Sequence, residues 1–456
     1  MTFPRLSLTP FALALAAALP SLAALLVYGV VQTPDSGGYL DYAREIAAGS
    51  VPSGAALLTG DPISLYRMGG FPALLAALQG WFPVQWALVL VAGQIGAQAA
   101  VAVAAWRTAL RLGAGPVTAV VAALLPAIGF AVVANVCVLT DAFYSAAVAG
   151  AAFALVLRPD ARGALLAGVL LAAATSFREA TIFYVLAFLP LAALSQRRLL
   201  CMALVLLPCW GVAGAQVGWN ISRGAGPVLT TSKQIVMVQA LLPLIADHVP
   251  VYADDPVLAA AATNTIDVAG YARIDVFEQD LRAQGLTPQQ IAKRATAAYA
   301  RAWRLYPGRM LGATVADFRT NYLYMTFQPQ ETVATLQVYT TGQRPDWNRL
   351  NVLTREARAG SGGAIGWMAL GIGCEALGVA ITLLALVSPW CPRGNWTLRA
   401  LWCLPVALVA LYLPVHLEVR YLTPMVPVLC VLAAARPRKI QETQGGATGE
   451  SLLEVA

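Results

Sequence analysis

The sequence predicts an all-α fold, a polytopic transmembrane bundle of about ten helical spans, and three observations carry that prediction. Of 456 residues, 59% are hydrophobic and only 12% charged, with a mean hydropathy of +0.67, which excludes an ordinary water-soluble domain. Apolar runs long enough to cross about 30 Å of hydrocarbon recur along the whole chain. Short basic clusters separate those runs, as they do where a chain turns back on the cytoplasmic side. Continuous apolar runs of this kind make helices, not a barrel.

The first run, from about Leu8 to Val31, follows Arg5 and is longer than a secretory signal core, so it reads as an uncleaved first span. With Arg5 inside, residues 32–83 form a first external loop of about fifty residues, long for a helix-to-helix connection. A second span from about Val84 to Trp106 returns to Arg107 and Arg111, and Gly113 and Pro116 punctuate the turn. Two spans near Val117–Ala134 and Leu139–Leu157 go out and back, ending inside at Arg158 and Arg162. The next hairpin leaves from about Ala164, turns at Ser176-Phe177-Arg178-Glu179, and returns to Ser195 beside Arg197 and Arg198.

A seventh span, about Leu199–Trp219, closes an N-terminal membrane module over residues 1–219. It opens into an external segment, 220–363, that holds most of the polar residues. Within it Ala272–Gln284 and Pro288–Tyr306 have helical spacing with charged faces, which predicts amphipathic helices on the membrane or on the bundle. Three spans over 364–435 follow, at about Ala364–Val387, Leu398–Leu413 and Tyr421–Ala435, and 436–456 reads as a disordered cytoplasmic tail.

The net charge of +7 is largely the basic clusters at these turns, so it reports topology and not nucleic-acid binding. The seven cysteines lie in or beside apolar runs with no CxxC spacing, which indicates neither a disulfide framework nor a zinc site. His248 and His416 are the only histidines, too few for a multi-histidine metal centre.

In this threading Asp35, Asp41, Arg44, Arg67, Asp141, Arg178, Glu179, Glu418 and Arg420 all fall at the external boundary. Charges near hydrocarbon pair with one another or line a wet cavity, and one cavity at that face accounts for several of these together. Asp41 and Arg44, spaced i, i+3 on a helix after Tyr39, read as a solvated surface pair. Arg178-Glu179 reads equally as a turn-terminal pair in the headgroups, and Glu418 with Arg420 as a loop anchor. Asp35 follows Pro34 with no cation adjacent in sequence, and so reads as functional.

The segment Thr33-Pro-Asp-Ser-Gly-Gly-Tyr-Leu-Asp-Tyr-Ala-Arg-Glu-Ile-Ala-Ala-Gly49, followed by Tyr66-Arg67-Met-Gly-Gly-Phe-Pro-Ala-Leu-Leu75, resembles the first external loop of GT-C glycosyltransferases. The likeness is nearest to the protein-mannosyltransferase and lipid A aminoarabinose-transferase branch, whose members use polyprenyl-phosphate sugars. Leu139-Thr-Asp-Ala-Phe143, Ser176-Phe-Arg-Glu179 and Glu418-Val-Arg-Tyr-Leu-Thr-Pro424 resemble further motifs of that family in the same order. Met68-Gly-Gly departs from the Pro-Gly frequent in relatives, and 220–363 carries no likeness.

The resemblance implies an inverting glycosyltransferase of the bacterial inner membrane with its site facing the periplasm. Asp35 would be the general base, taking the proton of an acceptor hydroxyl. Arg67 with Tyr66, and then Arg178 and Arg420, would hold the donor phosphate, because a guanidinium matches it bidentately. Asp141, Glu179, Glu418 and Tyr39 would orient those arginines or bind sugar hydroxyls. The expected partners are a polyprenyl-phosphate sugar, a lipid, glycan or protein acceptor, and membrane lipid, with no nucleic acid. No cofactor is required; a divalent metal is compatible with the chemistry, although the only second acid close to Asp35 is Asp41. The alternatives are a polymerase or ligase of lipid-linked oligosaccharide, using His416, a secondary transporter, whose charges would sit nearer the midplane, and a non-catalytic scaffold.

Overall fold

The computed structural model describes residues 9–54, 56–59, 63–263, 274–319, 329–343, 350–390, 395–415 and 417–436. Among these the regular elements are helices, joined by an isolated parallel bridge between Val31 and Cys137.

Helix α1 (Pro10–Tyr28) starts where its sequence says it should: Pro10 occupies the first turn, and the Thr9 hydroxyl accepts from the Ala12 N–H at 3.2 Å. Helix α2 (Pro34–Ala47) and helix α3 (Gly70–Trp81) lie in the 32–83 connection, predicted as the first external loop, and pack on each other. Helix α4 (Trp86–Arg111) is the most enclosed long helix, with α1 on one side. Helix α5 (Pro116–Leu124), a 3₁₀ turn to Ala127 and helix α6 (Phe130–Val136) form a bent pair. The 54° break sits at Gly129, whose φ of +88° is open to glycine and strained for a side chain.

Helices α7 (Asp141–Leu157), α8 (Ala161–Phe177) and α9 (Arg198–Ser222) pack side by side, with the broken helical stretch 181–192 between α8 and α9 in sequence. Their shared core is rich in alanine, including Ala147, Ala151, Ala164, Ala167 and Ala174, all buried. Small side chains let helix axes approach closely where lipid offers no hydrophobic drive to associate.

Four described helices are long and apolar enough to cross a membrane: Pro10–Tyr28, Trp86–Arg111, Arg198–Ser222 and Gly362–Trp390. The bent pair makes a fifth if counted as one span, and the other apolar helices have 10–17 residues. At 1.5 Å per residue, 17 residues reach about 25 Å, short of the hydrocarbon thickness. The predicted ten therefore exceed the number that stand on helix length, because several apolar runs are broken by 3₁₀ turns and prolines.

In the external segment, α10 (Lys233–Gln239), α11 (Ile274–Ala283) and α12 (Pro288–Leu305) are helical, the last opened by a capping box of Thr287 and Gln290. Their apolar faces were expected on the membrane or the bundle. Instead Phe277, Leu281, Ile291, Ala295 and Ala302 bury against Val238, Leu241 and Leu258 in a core of their own. The partners come from short helices before residue 264, which hydropathy alone does not mark. The Tyr299 hydroxyl ties this unit back to the bundle by donating to the Pro414 carbonyl at 2.7 Å. Helix α13 (Pro329–Thr341) lies against α6, with Leu336 buried beside Val133 and Val419. Helix α14 (Gly362–Val387), α15 (Trp396–Tyr412) and α16 (Val426–Ala434) complete the chain, α16 buried along most of its length. The predicted tail beyond Arg436 lies outside the described residues.

Candidate active site

The site begins where the chain leaves α1. The Val31 N–H donates to the Val136 carbonyl and the Val138 N–H to the Val31 carbonyl, each at 3.0 Å, which fixes the exit of α1 against the turn between α6 and α7. Two residues on, Thr33 and Ser36 form a capping box, and the Ser36 hydroxyl also donates to the Val138 carbonyl at 2.9 Å. Pro34 takes the first helical position, so Asp35 stands in the first turn of α2, where the helix dipole favours a carboxylate. The helix predicted around Tyr39 thus starts early enough to include Asp35 itself.

Arg67 reaches Asp35 from a short helix, Ile63–Tyr66: its Nη2 donates to Asp35 Oδ1 at 2.7 Å and its Nη1 to the Tyr39 hydroxyl at 2.9 Å. Its guanidinium carbon lies 4.5 Å from the Tyr39 ring centre and 5.0 Å from that of Tyr66, within cation–π range. Gly70 in the Met68-Gly-Gly turn sits at a close approach: a Cβ there would lie 2.6 Å from the Ser176 carbonyl oxygen, so only glycine lets α3 approach the end of α8 in this way.

Arg420 comes from the other end of the chain and donates to Asp35 Oδ2, while its Nε faces the Glu418 carboxylate. The carboxylate of Asp35 is therefore held by two arginines, one on each oxygen. Reading it as a group without a cation considered sequence neighbours alone, and that premise is corrected here: its partners are 32 and 385 residues away. Burial by itself would raise the Asp35 pKa. Arg420 and Arg67 outweigh that and hold it well below the usual carboxylate range. Beside it, the Tyr66 hydroxyl is pushed well up by burial, with Arg67 opposing.

A second pair stands next to the first. Arg178, at the C-cap of α8, donates to Asp141 at 2.5 Å, with Asp141 opening α7 at 1% exposure. The Arg178 guanidinium also lies 5.2 Å from the Tyr144 ring centre and 4.9 Å from that of Tyr421. Thr140 links the two pairs, lying 3.5 Å from both the Tyr39 hydroxyl and Arg178 Nε. Glu179 accepts from the Ser232 hydroxyl, which draws the start of α10 over the site.

Asp35, Tyr39, Tyr66, Arg67, Asp141, Arg178, Glu179, Glu418 and Arg420 thus meet in one place. A cavity of about 470 Å³ opens there. Arg67, Arg178, Arg420, Glu179, Tyr39 and Tyr66 supply its polar lining, and Ile182, Phe183, Leu411, Val415 and Met237 part of its apolar lining. Asp35, Asp141 and Glu418 are not in the lining; each stands behind an arginine that is. Asp41 and Arg44 form the exposed pair expected of them, 56% and 74% exposed. Among the described residues no group of three or more His, Cys, Asp or Glu is arranged to hold a metal ion. His416 lies outside the described residues.

Sequence reasoning missed Arg223. It is 6% exposed and donates to the Ser64 hydroxyl at 2.9 Å, the Ser64 carbonyl at 3.3 Å, the Pro52 carbonyl at 3.2 Å and Asn220 Oδ1 at 2.7 Å. Those bonds clamp the segment that carries Tyr66 and Arg67. The available signal was a lone arginine at the external end of a span, against the positive-inside pattern.

No protein-family model matches the chain, and no curated protein does. Among solved structures it is similar to the archaeal oligosaccharyltransferase AglB from Archaeoglobus fulgidus in complex with an inhibitory peptide and a dolichol-phosphate, with 13% identity and a TM-score of 0.47. That alignment covers 93% of this chain and 50% of the other. The Archaeoglobus fulgidus oligosaccharyltransferase in its apo form is similar at 14% identity and a TM-score of 0.44, again over 93% of this chain and 50% of that one. This chain thus spans about half the length of those structures. At that identity and TM-score the likeness assigns no family.

Proposed function

We propose that this protein is a membrane glycosyltransferase that moves a sugar from a polyprenyl-phosphate donor to an acceptor hydroxyl at the external, periplasmic face of a bacterial inner membrane. The observation that carries the proposal is the cavity itself, lined by three arginines together with apolar side chains that include Phe183, 62% exposed. That arrangement suits an amphiphile with an anionic head and a hydrocarbon tail, which enters from lipid and leaves its phosphate among guanidiniums. The order of the sequence motifs supports the same donor class.

A phosphate departs as an anion without needing a proton, so one carboxylate suffices for transfer, unlike the pair used in glycoside hydrolysis. Asp35 is that carboxylate. Its side chain keeps 29% exposure although it does not line the cavity, so an acceptor hydroxyl reaches it from the side away from the donor. Attack from that side inverts the anomeric carbon. Arg67, Arg178 and Arg420 take the developing phosphate charge, and Tyr39 and Tyr66 hold Arg67 in place. Glu179, with Ser232, closes the cavity toward the external segment, where acceptor choice would lie.

The test is transfer of labelled sugar from a panel of polyprenyl-phosphate sugars by the full chain in vesicles. Wild type should transfer at least one, and Asp35→Asn should lose about 10²–10⁴ in rate, the usual worth of a general base. Normal transfer by Asp35→Asn at normal expression sinks the assignment. Flux of a solute without any lipid donor would instead favour the transporter.

A further inference from the structure

The catalytic assignment leaves one difficulty. A base clamped by two arginines, on both oxygens, is a poor acceptor for a proton, and the same two arginines are the groups offered to the donor phosphate. Four carboxylates, Asp35, Asp141, Glu179 and Glu418, face three arginines, Arg67, Arg178 and Arg420. By count, an incoming phosphate meets no excess of positive charge unless an arginine gives up a carboxylate.

Geometry says which one. Asp141 is 1% exposed and locked to Arg178 deep at the head of α7, so releasing it would strand a buried charge. Asp35 is 29% exposed and can take water or an acceptor hydroxyl in place of the arginines. Arg67 and Arg420 already stand in the cavity lining with Asp35 behind them. Arg67 also keeps a buried Nε without a partner, a donor ready for a second acceptor. Glu418 stays beside Arg420 through the exchange, and Tyr39 and Tyr66 keep Arg67 aligned.

We propose that the donor makes its own base: its phosphate takes Arg67 and Arg420 from Asp35, and Asp35 is competent only once it has lost them. This rests on the lipid-phosphate reading above and deepens it. In the resting state the two arginines hold Asp35 as an inert ion pair, which discourages attack by water when no donor is bound. With the phosphate in place, the acceptor oxygen bonds to the anomeric carbon as the bond from that carbon to the phosphate oxygen breaks. The electron pair leaves with the phosphate, held by Arg67 and Arg420, and the hydroxyl proton goes to Asp35. The released polyprenyl phosphate keeps the arginines until it departs, and Asp35 passes its proton to water as the clamp re-forms.

Competition for two arginines has an unusual consequence: removing the catalytic carboxylate should tighten donor-head binding. The experiment measures the affinity of the detergent-solubilised full chain for decaprenyl phosphate, with decaprenol as the control lacking phosphate. Asp35→Asn should bind the phosphate at least about tenfold more tightly than wild type, the order expected when charge-assisted hydrogen bonds stop competing. Arg67→Gln and Arg420→Gln should each bind it more weakly. Asp41→Asn, which removes a carboxylate of the same helix that is paired with Arg44 at the surface and is outside the cavity lining, should change affinity by less than about threefold. Equal or weaker binding by Asp35→Asn overturns the exchange, because the arginines would then serve phosphate and carboxylate together. Equal tightening by Asp41→Asn overturns it too, by reducing the effect to general charge. If wild type binds decaprenyl phosphate no better than decaprenol, the donor reading itself fails. Binding by wild type without tightening in Asp35→Asn removes the exchange alone.

Discussion

Arg178 and Asp141 form the most enclosed ion pair at the site, 12% and 1% exposed, and their energetics differ from those of Asp41 and Arg44 nearby. A surface pair contributes about 0–1 kcal/mol, whereas breaking a buried one by removing a partner costs about 3–5 kcal/mol, because the remaining charge is stranded. Asp141→Ala should therefore lower thermal stability sharply and Asp41→Ala hardly at all, as read by detergent-phase unfolding of the two variants side by side. Asp35 adds a pH signature. Its folded pKa is depressed, so its clamp contributes fully above the unfolded value of about 3.9 and is lost as pH falls through the lower folded value. The stability difference between wild type and Asp35→Asn should be flat above about pH 5 and should shrink in wild type's disfavour below about pH 4. A difference that grows on acidification would contradict the clamp. At this scale the sequence named residues that the fold brings together and could not name their partners. Charge is legible locally, but Arg420 meets Asp35 across 385 residues of chain.

Elements deliver those side chains, and two junctions carry most of the precision. One is the approach of α3 to α8, where Gly70 faces Ser176 with no room for a methyl group. Gly70→Ala should displace the Met68-Gly-Gly turn and Arg67 with it, raising KM for the lipid donor while leaving the bundle folded. Unchanged KM would show that the turn yields without moving Arg67. The other is Arg223, whose four hydrogen bonds fasten residues 52 and 64 to the end of α9. Arg223→Met keeps most of the volume but leaves the Ser64 and Pro52 carbonyls and Asn220 without that donor, a loss of about 1–3 kcal/mol for each buried group left unpaired. Arg223→Met should unfold at lower temperature and use the donor poorly, whereas Ser222→Ala, one residue away and exposed, should do neither. The helices at 274–283 and 288–305 were legible from their spacing and Thr287-Pro288 cap; what they cover was not. Their apolar faces could have served lipid or protein equally, and only the short helices before residue 264 decide for protein.

For the whole molecule, the convergence of the charged candidates was the most legible property. Basic clusters at the turns predict that they share one face, and the fold gathers them around one cavity. The number of crossings was less legible, because hydropathy counts apolar residues and does not see a helix broken at Gly129 or in the stretch 181–192. Such breaks leave backbone groups needing partners, and near a membrane they persist where protein supplies them. The Trp210 indole donating to the Ile182 carbonyl at 3.2 Å is one such supply.

The reach of Arg420 back to Asp35 also bears on how the protein is made. A chain is made from its N-terminus, so α2 and its carboxylate exist long before the C-terminal helices arrive. During that interval Asp35 has Arg67 alone, and the cavity lacks Tyr412, Arg420 and Tyr421. The last helices to be made thus complete the cavity that α2 begins. On the proposed function, a chain cleaved before its final helices should lack transfer activity.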